Sequence, residues 1–161
     1  MRTKLSLSLL IFLLFGCSKD KICRDESFCV QVNSKLWWPS SGGDFKAQPL
    51  TIHLIDSNNQ FWIGAYSGSS SLLVGVIDKV NGIKVGNYVL GGQACCLGTY
   101  AVDSASEYRT DSTYSGLLSI TRIDRINKTI AGTFYFKAHN AVTGEIVDVS
   151  NGMFNARYVE Y

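Results

Sequence analysis

The residues best equipped for chemistry are five cysteines, Cys17, Cys23, Cys29, Cys95 and Cys96. A thiol can be acylated, oxidised to a disulfide or bound to a metal, and spacing helps to separate these fates. The adjacent pair Cys95-Cys96 does not fit the C-x₂₋₄-C spacing of zinc sites, so no metal is expected. Cys17 closes the apolar run Leu5 to Phe15 and is set apart from the others by that position. The remaining four allow three pairings. Pairing Cys23 with Cys29 would force a bond between the neighbours Cys95 and Cys96, or leave them as thiols. The other two pairings staple the segment 23–29 onto the loop at 95–96. That staple is the expectation, with the choice of partners open.

Other reactive groups are sparse. His53 and His139 are the only histidines, and neither has an acidic cluster beside it in sequence. No Gly-x-Ser-x-Gly elbow, His-Glu-x-x-His or phosphate-binding loop occurs. Asp44, Asp56, Asp78, Asp124, Glu145 and Asp148 fall mostly at strand ends or turns, where Asp serves the backbone. The chain is therefore not expected to be an enzyme or to carry a cofactor. A hydrolase with an unrecognised pair of carboxylates is the last of the readings. The aromatic residues are more informative. Trp37-Trp38-Pro39 runs into the loop Ser40-Ser41-Gly42-Gly43-Asp44. Neighbouring residues on a strand face opposite ways, so one Trp enters the core while the other either covers a barrel end, packs under the loop or meets a ligand. Trp37, Trp38 and Trp62 are the candidate contacts for a glycan or an envelope protein. Trp62, Tyr66, Tyr135 and Arg157 are expected to share an outer face.

The elements that position these residues begin with a targeting segment. Arg2 and Lys4, the apolar run of residues 5–15 and the small Gly16 have the layout of a secretory signal peptide. The run is about half the ~20 apolar residues that a membrane-spanning helix needs. Leu14-Phe15-Gly16-Cys17 resembles the bacterial lipobox, in which cleavage precedes a lipidated Cys. The resemblance implies a signal peptide at 1–16, a lipidated tether at 17–27 and one domain at 28–161. It also implies anchorage at a cell envelope, on one face or the other of an outer membrane. Cleavage removes two of the 15 basic side chains and leaves 13 against 13 acidic ones. That balance argues against nucleic acid, which needs a basic face.

From Phe28 onward the apolar residues recur with period two. Leu50, Ile52 and Leu54 alternate with polar neighbours, as do Phe61, Ile63 and Ala65. Phe134, Phe136 and Ala138 do the same, and so do Phe154, Ala156 and Tyr158. Such alternation marks antiparallel strands with one wet face. Asp56-Ser57-Asn58-Asn59, Asn81-Gly82, Thr143-Gly144 and Asn151-Gly152 supply turns. The pattern predicts an all-β domain, an antiparallel sandwich or meander barrel of about 8–10 strands. Only residues 103–107 are expected to form a single helical turn.

Val32-Asn-Ser-Lys-Leu-Trp37, Gly116 to Asp124, Ile130 to Phe136 and Val149 to Phe154 together resemble a family of small lipoproteins. It is an uncharacterised family typical of Bacteroidetes-type envelopes, sharing an all-β domain of unknown function. The resemblance implies a lipid-anchored β domain and carries no catalytic residue over. The leading functional expectation is a non-enzymatic binding or interaction module. The alternative is a lipocalin-like carrier with a small apolar ligand inside a barrel lined by Phe134 and Phe136. Asp103-Ser104-Ala105 and Asp111-Ser112-Thr113 also resemble acceptor triplets for O-glycans in such bacteria.

Overall fold

The computed structural model describes residues 27–41, 48–92 and 95–161. The signal peptide, Cys17, Cys23 and nearly all of the tether lie outside the described residues. Twelve strands and no helix form the described regular structure. β1 (Phe28–Val32) and β2 (Lys35–Trp37) make a hairpin, closed by Asn33 and Ser34 at φ 48° and 63°. Two successive positive-φ residues match the twist of paired strands. β3 (Leu50–Ile55), β4 (Gln60–Ser67) and β5 (Ser70–Ile77) follow as a meander. After β6 (Gly86–Leu90) come β7 (Cys96–Ala101) and β8 (Glu107–Arg109). β9 (Gly116–Asp124), β10 (Thr129–His139) and β11 (Ile146–Arg157) are the longest, and β12 (Val159–Glu160) is last.

The sheet order is β12-β3-β4-β5-β7-β8-β10-β11-β1-β2, with β6 and β9 paired beside β10. The sheet curls into a half-barrel. An all-β architecture of the sandwich or barrel type was legible in the alternation. The meander is interrupted where the chain passes from β5 to β6. Ile83 on that connection is buried, and its N–H donates to the Asn58 carbonyl at 2.6 Å. The connection is thereby tied to the β3–β4 turn, and β6 pairs with β9 instead of β5 or β7. At the far end Tyr158 breaks β11, and β12 pairs with β3 in parallel. The last residues thus tie the β3 edge to the β10–β11 side.

Two local expectations are corrected. Asn151-Gly152 does not turn the chain; both residues lie inside the continuous β11. Phe134 faces Gly152 and Phe136 faces Val149, so Ser150 and Asn151 of β11 together oppose the single Tyr135 of β10. This is a bulge, with Asn151 at φ 52° and its side-chain amide donating to Gln31 Oε1 at 2.7 Å. The bulge switches the inward positions from Val147 and Val149 to Gly152 and Phe154. Residues 103–107 likewise form no helix. Asp103 Oδ1 accepts the N–H groups of Ala105 and Ser106 at 2.8 Å each, a side-chain-closed turn.

The core is built from phenylalanines seated on glycines. Phe28, Phe61, Phe134, Phe136 and Phe154 are all buried, with Phe134 5.8 Å from Phe28 and 6.5 Å from Phe136. A Cβ added at Gly152 would reach 2.6 Å from the Phe134 ring, and one at Gly98 would reach 2.7 Å from Phe136. Gly132 meets Phe154 in the same way, at 2.6 Å. Rings fill the space that absent side chains leave, so the interior around Phe134 and Phe136 is packed.

Candidate functional site

Inward-facing aromatics continue past the core to one end of the half-barrel. Trp37 on β2 stands edge-on to Phe28 and to Tyr100 of β7, with ring centroids 6.4 Å apart in both cases. Tyr100 is in turn 6.4 Å from Tyr108 of β8. Crossing angles of 76°, 85° and 40° make a wall of rings, not a stack. The wall is fixed by hydrogen bonds. Trp37 Nε1–H donates to Ser70 Oγ at 3.1 Å, and Ser70 donates to the Ser67 carbonyl at 2.7 Å. Ser40 forms a parallel bridge to Ser67 and shares a 2.9 Å hydroxyl contact with it. This seam holds the β2 edge against the β4–β5 hairpin. Tyr108 donates to Glu145 Oε2 at 3.0 Å. That bond raises the Tyr108 phenol above its ordinary value, while burial raises Tyr100. Both remain neutral donors near pH 7.

Between these rings lies a cavity of about 390 Å³, within the usual size of small-molecule sites. Val32 and Val147 form its floor, while Asn33 and Lys35 bring polar groups to one side. Its rim is apolar yet wet: Leu36 and Val102 are 45% exposed and Ile146 is 50% exposed. Larger hollows of about 450 and 660 Å³ lie on the outer face, but they lack interlocked rings. Of these three hollows, the mouth combines edge-on and tilted aromatics with an exposed apolar rim.

The tryptophans expected to contact ligand divide by face. Trp37 lines the mouth. Trp38 follows β2 and is 50% exposed beside it. Trp62 lies on the outer face, its ring covering Gly75 so closely that no Cβ would fit there. Its indole N–H reaches Gln60 Oε1 at 3.4 Å. Trp62 is accounted for by shielding a glycine in the neighbouring strand. The shared outer-face patch is not formed. Trp62 and Tyr66 sit on β4, with β5, β7 and β8 between them and Tyr135 on β10 in the sheet order. Tyr100, Tyr108, Val102 and Ile146 were missed as a site, because strands distant in sequence bring them together.

Each histidine packs on a tyrosine ring. His53 packs on Tyr161 at 5.6 Å, and His139 on Tyr114 at 4.9 Å, with Nδ1 3.4 Å from Asp111. Among the described residues, no three His, Cys, Asp or Glu side chains gather to hold a metal. The aspartates serve turns. Asp78, Asp103, Asp111 and Asp124 each accept the backbone N–H groups two and three residues on. Those bonds hold each carboxyl below the ordinary 3.8. Ser104 and Ser112, the hydroxyls of the two acceptor-like triplets, sit exposed on two of these turns.

A pH dependence follows. The folded carboxyls titrate lower than the unfolded ones, so their contribution is complete above about pH 4 and disappears as pH falls through the folded values. Asn140 makes the same turn with an amide, accepting from Val142 and Thr143 at 2.9 and 3.0 Å. Replacing Asp103, Asp111 and Asp124 together by Asn is expected to keep the fold and flatten the acid limb of a melting-temperature profile. An unchanged slope below pH 4 in that variant would show that the turns do not set it.

The staple between 23–29 and 95–96 is not made. Cys95 and Cys96 carry thiols, whereas Cys29 is disulfide-bonded to a residue outside the described ones. Cys29 is buried on β1, opposite Met153 of β11, in a different part of the sheet from β7.

The described residues form a curled all-β sheet with an aromatic-lined end. The chain belongs to the family described as a domain of unknown function, DUF6252, whose model matches residues 41–156. No curated protein and no solved structure matches it.

Proposed function

We propose that this chain is a non-enzymatic, lipid-anchored protein of a Bacteroidetes-type outer membrane whose β domain holds a saccharide at the Trp37–Tyr100–Tyr108 mouth. The anchor rests on Leu14-Phe15-Gly16-Cys17 and the apolar run before it. The binding role rests on one observation, the wall of three rings beside a cavity of about 390 Å³ with a half-exposed apolar rim. Sugar rings present apolar C–H faces to aromatic walls and hydroxyls to polar groups, which Asn33 and the Lys35 ammonium can answer. The rings packed on Gly98 and Gly152 favour this mouth over the interior as the place for a ligand. Four of the aspartates each have one carboxylate oxygen committed to a turn, which supports binding over hydrolysis at those positions.

Titration against a glycan panel, read by tryptophan fluorescence, tests the reading. A binding sugar is expected to change the Trp37 emission. Val102→Glu and Ile146→Glu are each expected to weaken binding at least tenfold while shifting stability by no more than about 0.5 kcal/mol, as surface changes do. Binding that survives both substitutions, or that follows Trp62→Phe instead, would place the ligand elsewhere. Capture of a protein and of no sugar would overturn the saccharide assignment.

A further inference from the structure

The opposite end of β7 carries a feature that the mouth does not use. Cys95 and Cys96 are consecutive, both partly exposed, with Sγ atoms 3.2 Å apart. A disulfide is about 2.05 Å long, so these are two thiols in contact. Their backbone is held on both sides. The Cys95 carbonyl accepts the Ile77 N–H at 2.9 Å, and the Cys96 carbonyl accepts the Gly91 N–H at 2.8 Å. Cys96 is also paired with Val76 across the β5–β7 ladder and packs against the core. These bonds fix the backbone from which the two sulfurs come within 3.2 Å of each other. Cys29, the other described cysteine, has its sulfur committed elsewhere.

We propose that Cys95 and Cys96 form a redox modification site that closes to a vicinal disulfide by exchange with a small disulfide, R–S–S–R. The Cys95 thiolate attacks one sulfur of R–S–S–R, forming a mixed disulfide and expelling RS⁻, which takes up a proton. The Cys96 sulfur, giving its proton to solvent, then displaces the second RS⁻ from Cys95. One S–S bond forms in the chain, one breaks in the reagent, and two electrons leave the cysteine pair to give two RSH. Cys95 goes first because burial pushes the Cys96 thiol up to about 11, leaving it the poorer initial nucleophile. Neighbouring Cα atoms are about 3.8 Å apart, shorter than the usual disulfide span of roughly 4.4–6.8 Å. The ring is therefore strained, and strained disulfides are the easily reduced ones.

The experiment treats the purified protein with oxidised glutathione, blocks remaining thiols with iodoacetamide and digests with trypsin. The peptide 85–109, between Lys84 and Arg109, contains both sulfurs and no other cysteine. It is expected two hydrogens lighter than the dithiol form and without label. After a mild dithiol it is expected to carry two labels. Cys96→Ser is expected to stop at a stable glutathione adduct on Cys95. Two labels on the wild type despite the oxidant, a persistent wild-type adduct, or a cross-link to the Cys29 peptide would each overturn the proposal. The wild-type readout holds whether or not the variant folds.

Discussion

Phe134→Ala is expected to destabilise the domain by about 3–5 kcal/mol, the range for emptying a buried Phe site. A domain of ordinary stability has roughly 5–15 kcal/mol in all, so a large part of the population would unfold at moderate temperature. The ring is buried, touches Phe28 and Phe136, and covers a glycine on the neighbouring strand. Gly152 beneath the ring has no side chain to offer the hole. Gly152→Ala approaches the same contact from the other side. Its Cβ would stand 2.6 Å from the ring, forcing Phe134 to move at a cost of about 1–3 kcal/mol. Shortening the ring to Leu should relieve that collision. The pair Gly152→Ala with Phe134→Leu is therefore expected to be more stable than the sum of the singles, by about 1 kcal/mol or more. Denaturant melts of the four proteins measure this, and strictly additive losses would show that ring and glycine are not coupled.

The second large effect concerns attachment. Each buried CH₂ of an acyl chain contributes about 0.8 kcal/mol to membrane binding, and two chains suffice for a stable anchor. A lipobox cysteine typically carries two or three. The wild-type protein is accordingly expected to partition almost wholly into detergent in a phase-separation assay. Cys17→Ala is expected to stay in the aqueous phase or to persist as an uncleaved precursor. Mature wild-type protein with a bare amino terminus, or protein stripped from membranes by salt alone, would remove the anchor. The fold does not depend on this outcome, since the described strands begin at Phe28.

The two expectations draw on different kinds of information. The proposed lipidation rests on one contiguous segment, so it can be read without knowledge of the fold. The glycine–phenylalanine contacts are invisible in the same way that the mouth is. Trp37, Tyr100, Tyr108 and Ile146 look unrelated along the chain, and only the curl of the sheet lays them side by side. Asn151-Gly152 shows how a local signal can mislead. The pair has turn chemistry, yet pairing on both sides of β11 keeps the strand running, and the same left-handed residue makes a bulge. The vicinal thiols show the reverse case. Their adjacency was plain from the start, but their fate depended on where Cys29 lies, and β1 places it far along the sheet order from β7.

By itself the sequence determined what period and local chemistry determine: strands instead of helices and most of the turns. Side chains alternate in and out along a strand, and that needs no knowledge of the partner strand. Tertiary structure alone decided the crossing to β6, the parallel closure by β12, the parity switch in β11 and the convergence of rings at the mouth. Each depends on which strand lies next to which. Long-range pairing is chosen by the burial of the whole sheet, a quantity that no short stretch of residues contains.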